Sequence, residues 1–256
     1  MATNKTHKII EAEHNRPTNN HEFKQARPVG NPTTKRIIAI ALWMGGLIFE
    51  ILAILAFKDK VNFPVADNLW GAILYLVLDL ICIVIGSQFW KSANHIAPAS
   101  SANKTKFWIQ NNLGTIIATL AFVPFIIVAL TDKKADKKTK TIASAVAIVA
   151  LLIGGIAGYD FNPISQEQLE EAQQQLGTQT VYWTKGGRVY HTHEDCHALN
   201  RSDELYKGTV EQAMAKEDGG SKTSLCSFCY KRDHAAATEN NDINTNNLPP
   251  EIPESK

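Results

Sequence analysis

Four long apolar runs dominate the first two thirds of the chain. They cover residues 37–57, 69–90, 113–130 and 142–159. Each run is about twenty residues long, and a helix of that length crosses a hydrocarbon core of about 30 Å. None of the runs has the polar face that a surface helix of a soluble protein requires. The pattern therefore predicts a membrane all-α four-helix bundle over residues 36–160.

Buried core helices of a soluble protein are the alternative interpretation of these runs. Lysines bound the runs, and Trp70, Trp90 and Trp108 stand near their ends, as aromatic residues do at membrane interfaces. A cleaved signal peptide is also disfavoured, because the first run begins only at Ile37 and is too long for a signal sequence. Both observations favour membrane insertion.

The remaining segments of the chain are polar. Residues 1–34 and 234–256 lack apolar periodicity and are predicted to be disordered tails. Residues 163–177 combine a Ser-to-Gln capping pattern with one apolar stripe, which predicts an amphipathic linker helix. Residues 178–233 then form a small α+β module, with a predicted β-hairpin around a Lys-Gly-Gly turn and one predicted helix.

Charge restricts the function and the orientation only weakly. The formal net charge of +1 argues against bulk nucleic-acid binding. If the N-terminus is inside, the inner flanks carry Lys24, Arg27, Lys35, Arg36, Lys91, Lys104 and Lys106, and the outer flanks carry Lys58, Lys60, Lys133, Lys134, Lys137, Lys138 and Lys140. This comparison is a tie. The basic flank before the first run favours a multi-pass protein of the cell membrane with both termini in the cytoplasm.

Two acidic residues interrupt the apolar runs. Glu50 lies in the first run and Asp79 in the second, at similar depth from the short connection between the runs. A carboxylate in a bilayer is costly, so it usually faces the bundle interior, pairs with another group or is protonated. The two acids are therefore a candidate site for a proton or a cation. Alternatively, each carboxyl hydrogen-bonds a neighbouring helix without any transport.

The C-terminal module contains three of the four cysteines of the chain. Cys196 follows the predicted hairpin, and Cys226 and Cys229 form a Cys-x-x-Cys pair after the predicted helix. A module of this size buries too little core to fold unaided, so a disulfide or a metal is expected. Three cysteines leave one unpaired in a disulfide scheme, whereas three thiolates and one imidazole complete a tetrahedral site. The pattern therefore favours a metal, with Zn²⁺ as the expected ion.

Three histidines compete for the fourth position of this site. His191 closes the predicted hairpin and is held by strand structure, which makes it the preferred ligand. His193 lies in the following turn and is the alternative ligand. His197 follows Cys196 directly, which is awkward for binding the same ion.

The string VYWTKGGRVYHTHEDCHALN, followed by GTVEQA and LCSFC, resembles a small zinc-binding module at the C-termini of bacterial membrane and secreted proteins. Its YHxxxxC…CxxC pattern falls on Tyr190, His191, Cys196, Cys226 and Cys229. The module is more loosely similar to the metal-binding domain of Ada-type DNA alkylation-repair proteins. Those use four cysteines, one of them reactive, so the resemblance does not imply methyl-acceptor chemistry here.

The upstream region also carries a resemblance. Segments such as SQFWKSANHIAPASSANKTKFWIQNNLG and YDFNPISQEQL are similar to an uncharacterised family of bacterial four-helix integral membrane proteins. This resemblance implies an architecture and no particular activity.

Enzymatic interpretations of the module are weaker. A thioredoxin-like pair follows a strand and opens a helix in a βαβ unit, whereas Cys226 and Cys229 close the module. A catalytic zinc needs an open position and a general base, and the candidate bases Glu194 and Asp195 suit a solvated turn better.

We therefore expect an integral membrane protein, not an enzyme, in which a structural zinc module binds a protein partner or regulates it. Nucleic acid is not an expected partner, and nothing in the pattern indicates an oligomeric state. The alternative is a small ion- or proton-coupled transporter that uses Glu50 and Asp79. A weaker alternative is a membrane-tethered thiol oxidoreductase.

Overall fold

The computed structural model describes four segments of the chain, residues 23–61, 68–202, 204–218 and 220–235. Within these segments the chain is mostly helical, with a small region of strands and short helices toward the C-terminal end. Most of the two tails predicted to be disordered lies outside the described residues. Most of the connection between the first two long helices also lies outside them.

Four helices of the described segments are long and apolar enough to cross a membrane. In chain order, with one short helix between the second and third of them, the helices are α1 (Pro32–Phe57), α2 (Asn68–Ile96), the short α3 (Lys104–Asn111), α4 (Leu113–Thr131) and α5 (Lys137–Gly158). The four predicted runs agree with the long helices, although α1, α2 and α5 extend beyond them.

Capping explains the early starts of α1 and α5. The Asn31 side chain accepts a hydrogen bond from the backbone N–H of Thr33 at 2.9 Å, and Asp136 accepts one from Lys138 at 3.1 Å. Such caps satisfy N–H groups that have no partner within the helix. Polar residues can therefore form the first turn of each helix.

Buried polar contacts explain why α2 continues past Trp90. Lys91 is buried, and its Nζ donates to the carbonyl of Ala157 at 2.6 Å and to that of Tyr159 at 3.4 Å. A cation at the C-terminal end of α5 satisfies carbonyls that have no partner within that helix. Asn94 also donates to the carbonyl of Gln110, at 2.8 Å. The polar segment after the second apolar run is therefore partly helix.

Glycines set the contacts between the long helices. A Cβ on Gly86 of α2 would lie 2.8 Å from the Trp43 ring of α1, and one on Gly46 would lie 2.6 Å from Asp79 Oδ1. The later residue of α1 therefore contacts the earlier residue of α2, which shows that the two helices are antiparallel. In α4 and α5, a Cβ on Gly158 would meet the Gly114 backbone at 2.5 Å.

The outward surface of the long helices is apolar. Large side chains on it are more than a third exposed, among them Ile37, Ile40, Met44, Ile48 and Ile51 of α1. The buried positions between the helices hold smaller residues such as Ala53 and Ala118, together with Phe122 and Phe125. Small residues inside and large apolar residues outside are typical of helices that pack in lipid.

The C-terminal module combines helices with short strands. Its helices are α6 (Gln166–Leu176) and α7 (Val210–Met214), and residues 227–235 are also helical. The capping boxes predicted for α6 and α7, Ser165 with Gln168 and Thr209 with Gln212, are both present. The strands are β1 (Phe23–Gln25), β2 (Val181–Thr184), β3 (Val189–Tyr190), β4 (Leu205–Gly208) and β5 (Ser224–Leu225).

The strand β1 corrects the prediction that residues 1–34 are wholly disordered. It lies before α1 in the chain and pairs in parallel with β4, which also pairs antiparallel with β2. Phe23 packs edge-on against Tyr182, with ring centroids 5.0 Å apart. A strand of three residues carries too little periodicity to be recognised in a polar segment, so only its partner strand reveals it.

Charged contacts join the module to the ends of α1 and α2. Lys35 of α1 forms an ion pair with Glu217, and its Nζ donates to Ser92 Oγ at 2.8 Å. His95 at the end of α2 is buried, with Nε2 3.0 Å from Asp160 Oδ2 and Nδ1 3.3 Å from the Met214 carbonyl. The module therefore lies against one end of the long helices.

Candidate metal centre

The pairing of β3 with β5 brings two candidate ligands together. These parallel strands align Val189 with Ser224 and Tyr190 with Leu225. The next residues in the same direction are His191 and Cys226, and the Cys226 N–H donates to the Tyr190 carbonyl at 2.8 Å. His191 also exchanges two backbone hydrogen bonds of 2.8 Å with Tyr182, as the predicted hairpin requires. The backbone thus fixes both residues before any metal is considered.

Two short turns supply the other candidate ligands. Cys196 precedes a 3₁₀ turn over His197–Arg201, and its carbonyl accepts a hydrogen bond from the Leu199 N–H at 2.9 Å. Cys229 lies in the first turn of the helix over residues 227–235. The three cysteine side chains share one apolar cluster with Leu199 and Leu205. All three are free cysteines.

The four side chains form one compact donor set. One donor atom each from His191, Cys196, Cys226 and Cys229 lies within 4.8 Å of all the others, and all four residues are buried. His191 Nδ1 lies 3.7 Å from Cys229 Sγ. In a tetrahedral zinc site, sulfurs are about 3.8 Å apart and a sulfur and a nitrogen about 3.5 Å apart. The buried cluster can therefore hold a metal ion, although the geometry alone does not identify the metal.

The protonation of the donors also suits a metal ligand set. Burial lowers the pKa of His191 to about 4, so its imidazole is neutral at physiological pH and has a free lone pair. Burial raises the pKa of the Cys196 thiol to about 12. Three neighbouring thiolates would repel one another in this apolar cluster without a cation, whereas a divalent ion would stabilise them.

The structure separates His193 and His197 from the donor set. His193 Nε2 lies 2.7 Å from Asp233 Oδ1, and Asp233 also accepts a hydrogen bond from Thr192 Oγ1 at 2.8 Å. His197 packs edge-on against Phe228, with ring centroids 4.3 Å apart. The alternative ligand His193 therefore fastens the ligand loop to the last helix, outside the donor set.

The candidate general base Asp195 has a structural partner. Arg232 donates to its carboxylate at 2.7 Å, and this hydrogen bond lowers the pKa of Asp195. The contact is a second link between the loop that carries Cys196 and the helix that carries Cys229. A four-coordinate ion held by all four donors would have no coordination position left for a substrate. The arrangement resembles a closed structural site.

The position of the Cys-x-x-Cys pair differs from the expectation in one respect. Cys226 follows β5 and the pair opens the helix over residues 227–235, as such pairs do in thiol oxidoreductases. However, β5 has two residues and pairs directly with β3, and His191 and Cys196 complete the cluster around the pair. Cys82, the remaining cysteine, lies apart in α2.

Lys222 supports the site in a way that sequence reasoning missed. Its side chain is fully buried, and its Nζ donates to the carbonyl of Thr184 at 2.7 Å and also to that of Gly187. Burial lowers the pKa of Lys222 to about 8. The lysine holds the turn that aims His191 at the cysteines. A lysine in a Gly-rich polar segment gives no signal of such burial.

The two acids of the long apolar helices form a separate feature. Glu50 is 4 % exposed and Asp79 is fully buried, and neither carboxylate has a hydrogen-bond partner among the described residues. Asp79 Oδ1 lies against Gly46, one turn before Glu50 on α1. The two carboxylates are close enough for their charges to interact.

Comparisons of the chain with protein-family models, with curated proteins and with solved structures found no significant match.

Proposed function

We propose that the C-terminal module binds one structural Zn²⁺ through His191, Cys196, Cys226 and Cys229. The observation that carries the proposal is the single compact cluster of four buried donors. Zinc is favoured because three soft thiolates and one imidazole match its preference for four-coordinate sulfur and nitrogen sites. Bound there, the ion would cross-link the hairpin, the 3₁₀ turn and the last helix. The resemblance to bacterial zinc-binding modules supports the same assignment.

The proposed role of the module is to bind a protein partner or to regulate one from the membrane surface. Phe228 stands between the two cysteines of the Cys-x-x-Cys pair and is 56 % exposed, and Tyr230 is 54 % exposed. A cavity of about 180 Å³ beside Phe228 is also lined by His197 and Arg232 and reaches Cys196 and Cys229. Exposed aromatic side chains beside an arginine are typical of protein interfaces.

The bundle would anchor this module to the cell membrane. Strand β1 precedes α1 and pairs with β4, which follows α5. Both segments must therefore lie on one side of the bilayer, which supports an even number of crossings by the four long helices. The basic residues before α1 favour the cytoplasm for that side. A reducing cytoplasm would also keep the thiols available for the metal.

Metal analysis of the purified full-length protein tests the zinc assignment. We expect about one zinc per chain, lost in Cys226→Ser because the remaining donors cannot close a four-coordinate site. Cys82→Ser is the matched control, because that thiol lies in α2 outside the donor cluster, and it should keep the metal. Unchanged zinc in Cys226→Ser, or equal loss in Cys82→Ser, would sink the assignment.

Site-specific photo-crosslinking in cells tests the partner role. A photoreactive residue at Phe228 should give a discrete protein adduct, and the adduct should disappear in the Cys226→Ser background. The same residue at the exposed Gln174 of α6 is the control position. Lipid adducts alone, or identical adducts from both positions, would contradict partner binding through the module.

A small proton- or ion-coupled transporter is the second candidate function. It is favoured by the unpartnered, buried carboxylates of Glu50 and Asp79 between α1 and α2. An ionisable residue in a membrane interior most often marks an ion pathway or a proton relay. In this candidate the two acids would exchange a proton, or a small cation, during transport.

Flux measurements in proteoliposomes separate transport from anchoring. Transport requires that Glu50→Gln and Asp79→Asn abolish proton or cation flux while leaving the fold intact, because an amide cannot take up or release the proton. Glu170→Gln, on the exposed face of α6, should leave the flux unchanged. Absence of flux in the wild-type protein would end this candidate.

The membrane-tethered thiol oxidoreductase is disfavoured by the same cluster. A redox pair needs an accessible thiolate, whereas all three module cysteines are buried. Rapid alkylation of one cysteine in the zinc-loaded protein would instead support the oxidoreductase.

A further inference from the structure

An open cavity of about 560 Å³ lies where the apolar part of the bundle begins. It is formed by the start of α1, the end of α2 and the short helix α3. Arg36, Trp90, Lys106 and Ile109 line it, together with three neutral polar residues of α3 and its cap. Nothing in the zinc module or in the intramembrane acids accounts for this cavity.

The cavity has a positive polar wall. Arg36 and Lys106 both line it, and none of its lining residues among the described segments is acidic. Arg36 is held in place, because its guanidinium lies over the Trp90 ring at 5.8 Å and its Nη2 donates to the Ala97 carbonyl at 2.9 Å. Its Nε is buried and has no hydrogen-bond partner among the described residues. A guanidinium fixed in the wall of a cavity is suited to binding a phosphate or carboxylate.

The other wall of the cavity is apolar and continues onto the outer surface of the helices. The rings of Trp90 and the side chain of Ile109 contribute to it. Next to it, Ile37 is 62 % exposed and Trp108 is 53 % exposed. Arg36 directly precedes the apolar run of α1, which places the charged wall at the expected level of the lipid headgroups.

We infer that this cavity binds an anionic phospholipid, with the headgroup phosphate between Arg36 and Lys106 and an acyl chain along Trp90 and Ile109. The combination of a positive wall and an apolar wall is the observation that favours a lipid as the ligand. A free phosphate would match the cations but would leave the apolar wall in contact with water. The short helix α3 would lie in the interface and close the site from the side of the headgroups.

Native mass spectrometry of the full-length protein, released from nanodiscs, tests this inference. The probes are phosphatidylglycerol and phosphatidylcholine. We expect retention of phosphatidylglycerol in preference to phosphatidylcholine. We also expect an affinity for it about fivefold lower in Lys106→Gln, from the loss of one basic contact at the membrane surface. Lys104→Gln is the matched control, because Lys104 is exposed on α3 and does not line the cavity.

The outcomes distinguish a specific lipid-binding site from non-specific electrostatic attraction. Equal retention of the two lipids, or equal losses in Lys104→Gln and Lys106→Gln, would overturn the inference. Displacement of the lipid by millimolar inorganic phosphate would show that the site takes a free anion instead. Arg36→Gln should weaken lipid retention further. If that variant does not fold, the result for Lys106→Gln decides alone, because Lys106 is exposed. The inference rests on the proposed membrane insertion, whose failure would appear separately, as a protein that stays soluble without detergent.

Discussion

At the scale of single residues, Gly114 and Gly158 mark the closest approach of α4 to α5. A Cβ on Gly158 would lie 2.5 Å from both Gly114 C and Thr115 N, which are backbone atoms that cannot move aside. Nearby, Thr115 Oγ1 donates to the Gly155 carbonyl at 2.9 Å and fixes the same crossing. The backbone contact explains why this end of α5 is rich in glycine.

Gly158→Ala should therefore loosen this helix pair. Overpacking at a contact of this kind costs about 1–3 kcal/mol, since the two backbones must separate. Thermal unfolding in a fixed detergent measures the loss. Gly155→Ala is the control, because a Cβ there would come no closer than 4.0 Å to its neighbour Thr115 Cγ2. Equal destabilisation by the two substitutions would contradict the proposed backbone contact.

His191 illustrates how far reasoning from single residues reached. His191 was preferred because it closes a hairpin, and the structure places it with Cys196, Cys226 and Cys229. Because the strand sets the direction of the His191 side chain, the local sequence pattern was enough to place it near the cysteines. Lys222 could not be found in the same way, since its partners are carbonyls of a turn that is distant in the sequence. Its burial depends on tertiary packing that leaves no periodic signal.

At the scale of elements, Glu167 fastens the linker helix α6 to the turn after α2. Its carboxylate accepts hydrogen bonds from Ser100 Oγ, from the Ser101 N–H at 2.9 Å and from Ser101 Oγ at 2.9 Å. These bonds hold the pKa of Glu167 well below its usual range, with the Ser100 hydroxyl as the largest cause. The contact helps to set where α6 leaves the bundle.

The stability that Glu167 contributes should depend on pH. Because its pKa is lowered on folding, the contribution is fully present above the ordinary glutamate range and is lost as the pH falls below it. Between pH 6 and pH 3.5, the thermal midpoint of wild type should therefore fall more than that of Glu167→Gln. The difference will be modest, since the carboxylate is solvent-exposed.

Glu170→Gln provides the matched comparison for this experiment. Glu170 lies on the same helix and accepts a hydrogen bond only from Gln166 among the contacts described, at 2.7 Å. This variant should follow the wild-type pH dependence. If Glu167→Gln did so as well, the contact with Ser100 and Ser101 would not contribute to stability.

Element prediction succeeded where a long periodic pattern existed and failed where it did not. The four apolar runs and the capping boxes of α6 and α7 have strong local signals, and all appear in the structure. Helix α3 was not predicted, because its eight residues form only about two turns. Strand β1 was missed because its partner β4 lies at the other end of the chain.

At the scale of the whole molecule, the pairing of β1 with β4 brings the segment before α1 and the segment after α5 to the same end of the long helices. The module contacts residues before α1 through β1 and through the ion pair of Arg27 with Asp218. It also contacts the end of α2 through His95. All these contacts lie at one end of the long helices. The C-terminal module is therefore joined to the long helices at several points besides the covalent linker.

Reporter fusions should place both termini on the same side of the membrane. Green fluorescent protein should fluoresce when fused to either end, because both ends are expected in the cytoplasm, and alkaline phosphatase should be inactive at both. A fusion after Thr131, between α4 and α5, should give the opposite pair of signals. Termini on opposite sides would contradict the pairing of β1 with β4, whereas a common periplasmic location would contradict only the orientation.

The pairing of β1 with β4 also imposes an order on biosynthesis. The ribosome makes Phe23–Gln25 before any apolar helix and makes Leu205–Gly208 only after all of them. Until then, the N–H and C=O groups of β1 cannot form their native ladder. Such a distant pairing has a high contact order and closes slowly. A chain released before Leu205 would contain all four apolar helices, but its first strand would lack a partner and stay open to chaperones and proteases.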